Sequence, residues 1–105
     1  MNKLKEARKL RKKLDKEWAD KIKERDKSCI ICGSKKRLNA HHLIPREVKE
    51  FRYDLDNGVA LCPKHHKYSY KISAHKNSIA FIKWMKINRP KQLKKVFKKI
   101  NLEGD

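Results

Sequence analysis

An α+β domain, mostly helical, is the fold class that three features of the 105-residue sequence predict. Two pairs of metal-binding side chains, Cys29/Cys32 and Cys62/His65, bracket two short apolar segments. Stretches with apolar residues every three or four positions flank that centre on both sides. The chain is also too short to bury a large core, so a bound metal is a physically sensible source of the missing stability. The sequence divides into a basic amphipathic helix over 1–27, a metal-stapled β-β-α core over 28–76, and helices over 77–105 that pack on the core.

From Met1 to Lys27 there is no Gly or Pro, and Leu4, Ala7, Leu10, Leu14, Trp18 and Ile22 recur at helical spacing among charges. Ser28 to Gly33 holds the first cysteine pair and a turn glycine, and so reads as a metal knuckle, with Lys35 to Arg37 as a basic loop. Leu38–Ile44 and Gly58–Leu61 can pair as strands, with Pro45 closing the first and Asn57-Gly58 turning into the second. A polar connection with Phe51, Tyr53 and Leu55 alternating lies between them. Pro63 suits the first position of a helix, which would carry His65, His66 and the lysines beyond. From Asn77, the residues Ile79, Phe81, Ile82, Trp84, Met85 and Ile87 are dense enough to pack on a core, until Arg89-Pro90 interrupts them. Leu93, Val96, Phe97 and Ile100 then mark a last amphipathic helix, ended by Gly104.

Thirty Lys and Arg against twelve Asp and Glu give a formal charge of +18, which favours a polyanionic partner. Nucleic acid leads. An anionic membrane surface is the rival, but no stretch is long and apolar enough to span a bilayer and no signal-peptide segment follows the N-terminus. The expectation is a soluble, cytoplasmic protein.

Three cysteines fit a disulfide framework badly and a mixed Cys/His metal site in a reducing compartment well. Cys29-Ile30-Ile31-Cys32 and Cys62-Pro63-Lys64-His65 each place two residues between donors, so that one tight turn aims both at one ion. Together they make a closed Cys3His set, the pattern of structural Zn2+. His66 is the alternative fourth ligand, and His65 is preferred because it repeats the spacing of the first pair.

The stretch Leu38-Asn39-Ala40-His41-His42-Leu43-Ile44-Pro45, followed by Asp56-Asn57-Gly58-Val59-Ala60-Leu61-Cys62 and His65-His66, resembles the motif of HNH endonucleases with interleaved zinc knuckles. The resemblance runs from Cys29 to about Lys67 and implies a ββα-metal (His-Me finger) core. In that family the second knuckle commonly ends in a cysteine, for which this chain has His65. The resemblance implies that His41 and His66 hold a hard divalent ion, that His42 is the general base and that Asn57 orients the loop. It implies Mg2+ or Mn2+, or else Ni2+ or Zn2+, as catalytic metal, and 5′-phosphate and 3′-hydroxyl products. Some members add a third ligand one helical turn after the position of His66, where this chain has Tyr70. Small members of the family occur in bacteriophages, where they assist genome packaging, or in mobile elements.

The chemistry supports these roles separately. Phosphodiester cleavage needs a base active near neutral pH, which an imidazole is, and a cation to neutralise charge developing on the phosphate. A site of two histidines should hold its metal loosely. Adjacent strand residues point to opposite faces, so a bulge or the strand end must bring His41 and His42 to one phosphate, and their roles could be exchanged. Asn57-Gly58 is also an ordinary turn signal. Arg46, Lys64 and Lys67 are the candidates for phosphate contact on double-stranded DNA. His75 stands alone in a polar connection and is given no function, and Trp18 and Trp84 sit on apolar stripes and read as core. A zinc-stabilised nucleic-acid-binding module without catalysis is the alternative reading.

Overall fold

In the computed structural model, which describes residues 2–100, the elements in order are α1 (Asn2–Asp26), β1 (Asn39–His42), β2 (Gly58–Leu61), α2 (Ser78–Asn88) and α3 (Pro90–Lys99). Two short 3-10 turns, Lys49–Phe51 and Leu55–Asn57, shape the connection between the strands. Gly104, expected to end the last helix, lies outside the described residues. The protein is mostly helical with one antiparallel pair of strands, in the register Asn39↔Leu61, Ala40↔Ala60, His41↔Val59 and His42↔Gly58.

All four residues of β2 are buried, because the sheet is covered on both faces. Side chains on a strand alternate between faces. Val59 and Leu61 join Cys29, Cys62, Phe81, Met85 and Leu93 in one cluster, whereas Ala60 joins Trp18 and Ile22 of α1 in a second. The small residues on the second face let α1 lie close. A Cβ at Gly58 would collide with the Trp18 ring and come within 2.9 Å of Ile22 Cδ1.

One buried carboxylate ties α1 to β2 and to the junction between α2 and α3. Asp26, with its side chain 2% exposed, accepts from Arg25 at 2.8 and 3.0 Å and from the Ala60 N–H at 2.9 Å, and meets Arg89 at 3.4 Å. Burial acts to raise its pKa, but these donors outweigh it and hold the carboxyl below its usual value. Its contribution is therefore present above the unfolded value near pH 4 and lost as the pH falls through the folded one. Asp26→Asn is expected to lower stability at pH 7 by about 2–4 kcal/mol, read from urea unfolding with zinc added to both proteins.

The structure corrects several sequence expectations. On α1 only Trp18 and Ile22 are buried, while Leu4 and Leu10 are more than half exposed. The apolar stripe therefore meets the core only in its C-terminal half. The helix expected from Pro63 is a single π-helical turn, Lys64–Tyr68. Its short length has a cause outside the turn: the carbonyls of His65 and His66 accept from Ala74 and His75, at 2.9 and 3.0 Å, rather than continuing a helix. On α2, Phe81 and Met85 are buried, but Ile79 and Ile87 face solvent. Asn77 caps that helix by accepting from the Ala80 N–H at 3.1 Å. On α3, Leu93 and Val96 are buried at the expected spacing.

Candidate functional site

The donor atoms of Cys29, Cys32, Cys62 and His65 lie within 4.8 Å of one another. Cys32 and Cys62 sulfurs are 3.6 Å apart, and His65 Nδ1 lies 3.7 Å from Cys29 Sγ and 3.4 Å from Cys62 Sγ. Donors bound tetrahedrally at zinc bond lengths are separated by about 3.6–3.8 Å. The residues therefore fit a zinc ion, and no disulfide is compatible with the sulfur spacing. Three of the four donors are buried within or beside the main core cluster, and Cys32 is at the surface. This group could hold a structural metal such as zinc, with His65 and not His66 in the set.

A second donor group forms on the same side of the sheet. The donor nitrogens of His41, His66 and His75 also lie within 4.8 Å of one another. His41 projects from β1 toward Phe81, on the face that carries Val59. His66 comes from the π turn, one residue after the zinc-type ligand His65. His75 comes from the loop before α2, hung on the turn by its own N–H to the His66 carbonyl.

His66 Nε2 and His75 Nε2 are 3.2 Å apart, within the spacing of about 3.0–3.4 Å expected of two imidazole nitrogens on one ion. The buried Nδ1 of His66 has no hydrogen-bond partner among the described residues. Burial first, and then the neighbouring imidazoles, push His41 down to about 3; burial, His75 and Lys67 push His66 down to about 4. Both rings are therefore neutral at physiological pH, the form in which imidazole binds a metal. The three histidines fit a divalent ion.

His42 points to the other face. Its ring stacks on Trp18, with centroids 3.8 Å apart and planes 8° from parallel. Its Nε2 is 2.8 Å from the Arg52 carbonyl oxygen. A carbonyl can only accept, so Nε2 carries the proton and Nδ1 is the bare nitrogen. Burial lowers the pKa of this imidazole, and the Arg52 carbonyl partly opposes that.

Asn57 is fully buried. Its Oδ1 accepts from the Ile44 N–H at 2.5 Å, and its Nδ2 donates to the carbonyls of Ile44 and Phe51, each at 3.0 Å. The amide thus pins both ends of the segment from Ile44 to Phe51, directly before the Arg52 carbonyl that His42 uses. An Asn-Gly turn needs none of these long-range bonds.

His41 and His42 leave the strand on opposite faces with regular pairing at both positions. β1 ends at His42, and both residues still border a single cleft of about 590 Å³. Arg46, Glu47, His66, Lys67 and His75 line the same cleft. Lys64 is exposed on the π turn and does not line it.

Sequence reasoning gave His75 no role, and the structure brings it into the histidine cluster. Nine residues separate it from His66, a spacing with no helical or knuckle meaning, so only the folded loop reveals it. Tyr70, at the position where a third ligand was sought, is 77% exposed with its ring against Lys76. Arg52 and Asp15 were also unremarked: Arg52 donates to both carboxylate oxygens of Asp15, at 2.8 and 2.7 Å.

Residues 29–71 match the family model described as HNH endonuclease. No curated protein and no solved structure matches the chain.

Proposed function

With the HNH endonuclease domain at residues 29–71 as premise, we propose that this protein is a metal-dependent endonuclease that nicks or cuts double-stranded DNA by phosphodiester hydrolysis. The observation that carries the proposal is the shared cleft. On one wall a histidine cluster is fit for a divalent ion, and on the other an imidazole is held with one nitrogen free to accept a proton.

His41, His66 and His75 would hold the ion, Mg2+ or Mn2+, or Ni2+ or Zn2+. When bound, it supplies charge neutralisation for the phosphate and the leaving 3′ oxygen. His42 Nδ1 takes a proton from the attacking water as the oxygen bonds to phosphorus. The bond from phosphorus to the 3′ oxygen breaks, and the leaving oxygen is protonated from solvent, giving 5′-phosphate and 3′-hydroxyl ends. Asn57 keeps the loop in the shape that aims the Arg52 carbonyl at His42. Arg46 and Lys67, on the cleft wall, pair with phosphate oxygens, and Lys64 adds a nonspecific contact outside it. Zinc at Cys29, Cys32, Cys62 and His65 has a structural role, since four protein donors leave no open position. Among the described residues no helix is long and apolar enough to cross a membrane, and a cytoplasmic site of action is part of the proposal.

The test is nicking of supercoiled plasmid by the zinc-loaded protein with Mg2+, Mn2+, Ni2+ or Zn2+ added in turn. Metal-dependent nicking that disappears in a His41→Ala/His66→Ala double variant supports the proposal. Salt-sensitive DNA binding without cleavage under every metal would replace it with a zinc-stabilised binding module.

His75 can be checked by calorimetry. In the zinc-loaded protein, His75→Ala is expected to weaken binding of a second divalent ion by more than about tenfold, the loss that outer-shell changes already cause. Unchanged affinity would return His75 to the surface loop and leave a two-histidine site.

A further inference from the structure

We infer that α1 forms part of the catalytic apparatus, with Trp18 and Asp15 as positioning residues for the His42 imidazole. Both residues lie outside the segment that matches the family model. The inference rests on the reading of His42 as general base.

A base on a strand end has its Cβ direction fixed by the backbone, but its ring plane and tilt are free until something holds them. Here two contacts do so. The Trp18 indole lies flat against the ring at 3.8 Å and fixes its plane. The Arg52 carbonyl takes Nε2–H at 2.8 Å and fixes the rotation. Together they leave Nδ1 a single direction.

Each constraint is itself anchored by α1. Trp18 is 4% exposed, its Nε1–H donates to the Asp54 carbonyl at 2.9 Å, and Gly58 leaves room for its ring. Arg52 is gripped by both oxygens of Asp15. One helical turn beyond Ile22, Arg25 donates to the Leu55 carbonyl at 2.7 Å. Three side chains of α1 therefore converge on residues 52–55, the stretch that presents the carbonyl to His42.

Asn57 holds the same loop from the strand side. The loop is clamped from two directions, and the matched segment supplies only one of them. Trp18 packs with Ile22 and Ala60 as core, and beyond that packing it lies on an imidazole and donates its N–H to the loop that orients the same imidazole.

The test is made on the full-length, zinc-loaded protein. The ring protons of His42, followed by NMR, are expected upfield of ordinary histidine positions because they lie over the indole face. In Trp18→Leu they should move back toward ordinary values, and in Trp18→Phe they should keep part of the shift. Single-turnover cleavage should slow about 10–100-fold in Trp18→Leu with little change in KM, and recover most of its rate in Trp18→Phe.

Asp15→Ala leaves the core intact and serves if Trp18→Leu does not fold. It should slow cleavage, and the reversed pair Asp15→Arg/Arg52→Asp should restore much of the rate. Unchanged His42 resonances and unchanged rates in Trp18→Leu, or Asp15→Ala at full rate where the former does not fold, would overturn the inference and reduce α1 to packing. If the wild type cuts no DNA, the His42 resonances in Asp15→Ala, where the indole stays in place, decide the positioning role: a shift supports it and none overturns it, so its failure is distinguishable from failure of the nuclease reading.

Discussion

Alanine in place of His42 is expected to slow DNA cleavage by about 10²–10⁴-fold, with zinc content and DNA affinity nearly unchanged. The size follows from what is removed. The variant loses a cleft-lining imidazole whose Nε2–H is committed to the Arg52 carbonyl, which leaves Nδ1 as the acceptor. Few neighbours can substitute: Arg46 and Lys67 are cations, His41, His66 and His75 belong to the donor cluster, and among the described residues Glu47 is the one carboxylate lining the cleft. The structural cost is small, because the ring is half-buried and the stack on Trp18 contributes about 0.5–1.5 kcal/mol. The loss should therefore appear in the single-turnover nicking rate at saturating protein and not in gel-shift affinity. Lys67→Ala is the contrasting control, since it should weaken binding and lower the salt dependence by about one charge while sparing the chemical step. If His42→Ala retained the wild-type rate, the base would have to be sought elsewhere in the cleft, with Glu47 first.

What could be read from the sequence and what could not divide along the range of the interactions. The paired knuckles and the histidines at 41, 42 and 66 are short-range patterns, and the structure places them within one small region around the sheet. The two strands and the break at Pro90 are equally local signals. Whatever depended on contacts between distant segments stayed hidden. His75 joins His66 only because a loop hydrogen-bonds back onto the π turn. That same backbone pairing shortens the expected helix after Pro63, which propensity could not foresee.

Trp18 did read correctly as core, but helical periodicity reports only that a residue faces inward. It carries no information on whether the neighbour met there is an aliphatic side chain or the His42 ring. Asn57 shows the converse. Its Asn-Gly sequence suggests a turn, whereas its burial and three hydrogen bonds to Ile44 and Phe51 make it the brace of the whole connection.

On the proposed reading of the Cys3His group as a zinc site, removing the metal is expected to unfold residues 28–100 as a unit, the largest stability effect expected of any change here. Structural zinc in small domains contributes roughly 10–16 kcal/mol of apparent binding free energy, which is as large as the whole stability of a typical domain. The ligands here are not peripheral: Cys29 and Cys62 belong to the main core cluster with Val59, Leu61, Phe81 and Met85. Without the ion, two buried thiols and the buried His65 would face one another with no donor set to complete, and the two knuckles would have no bond between them. The disturbance would pass directly to the histidine cluster. His65 and His66 are adjacent on the π turn, and their carbonyls carry the backbone of Ala74 and His75. A strong chelator, or Cys62→Ser, should therefore abolish near-ultraviolet dichroism and cleavage together, while α1, exposed along its first half, keeps part of the helical far-ultraviolet signal. Returning zinc should restore both for the chelated protein and not for the variant. Should the chelated protein keep its tertiary signal and unfold at the same temperature as the zinc-loaded form, the hydrophobic clusters on the two faces of the sheet would suffice alone. The Cys3His group would then have to be read as a labile or regulatory site.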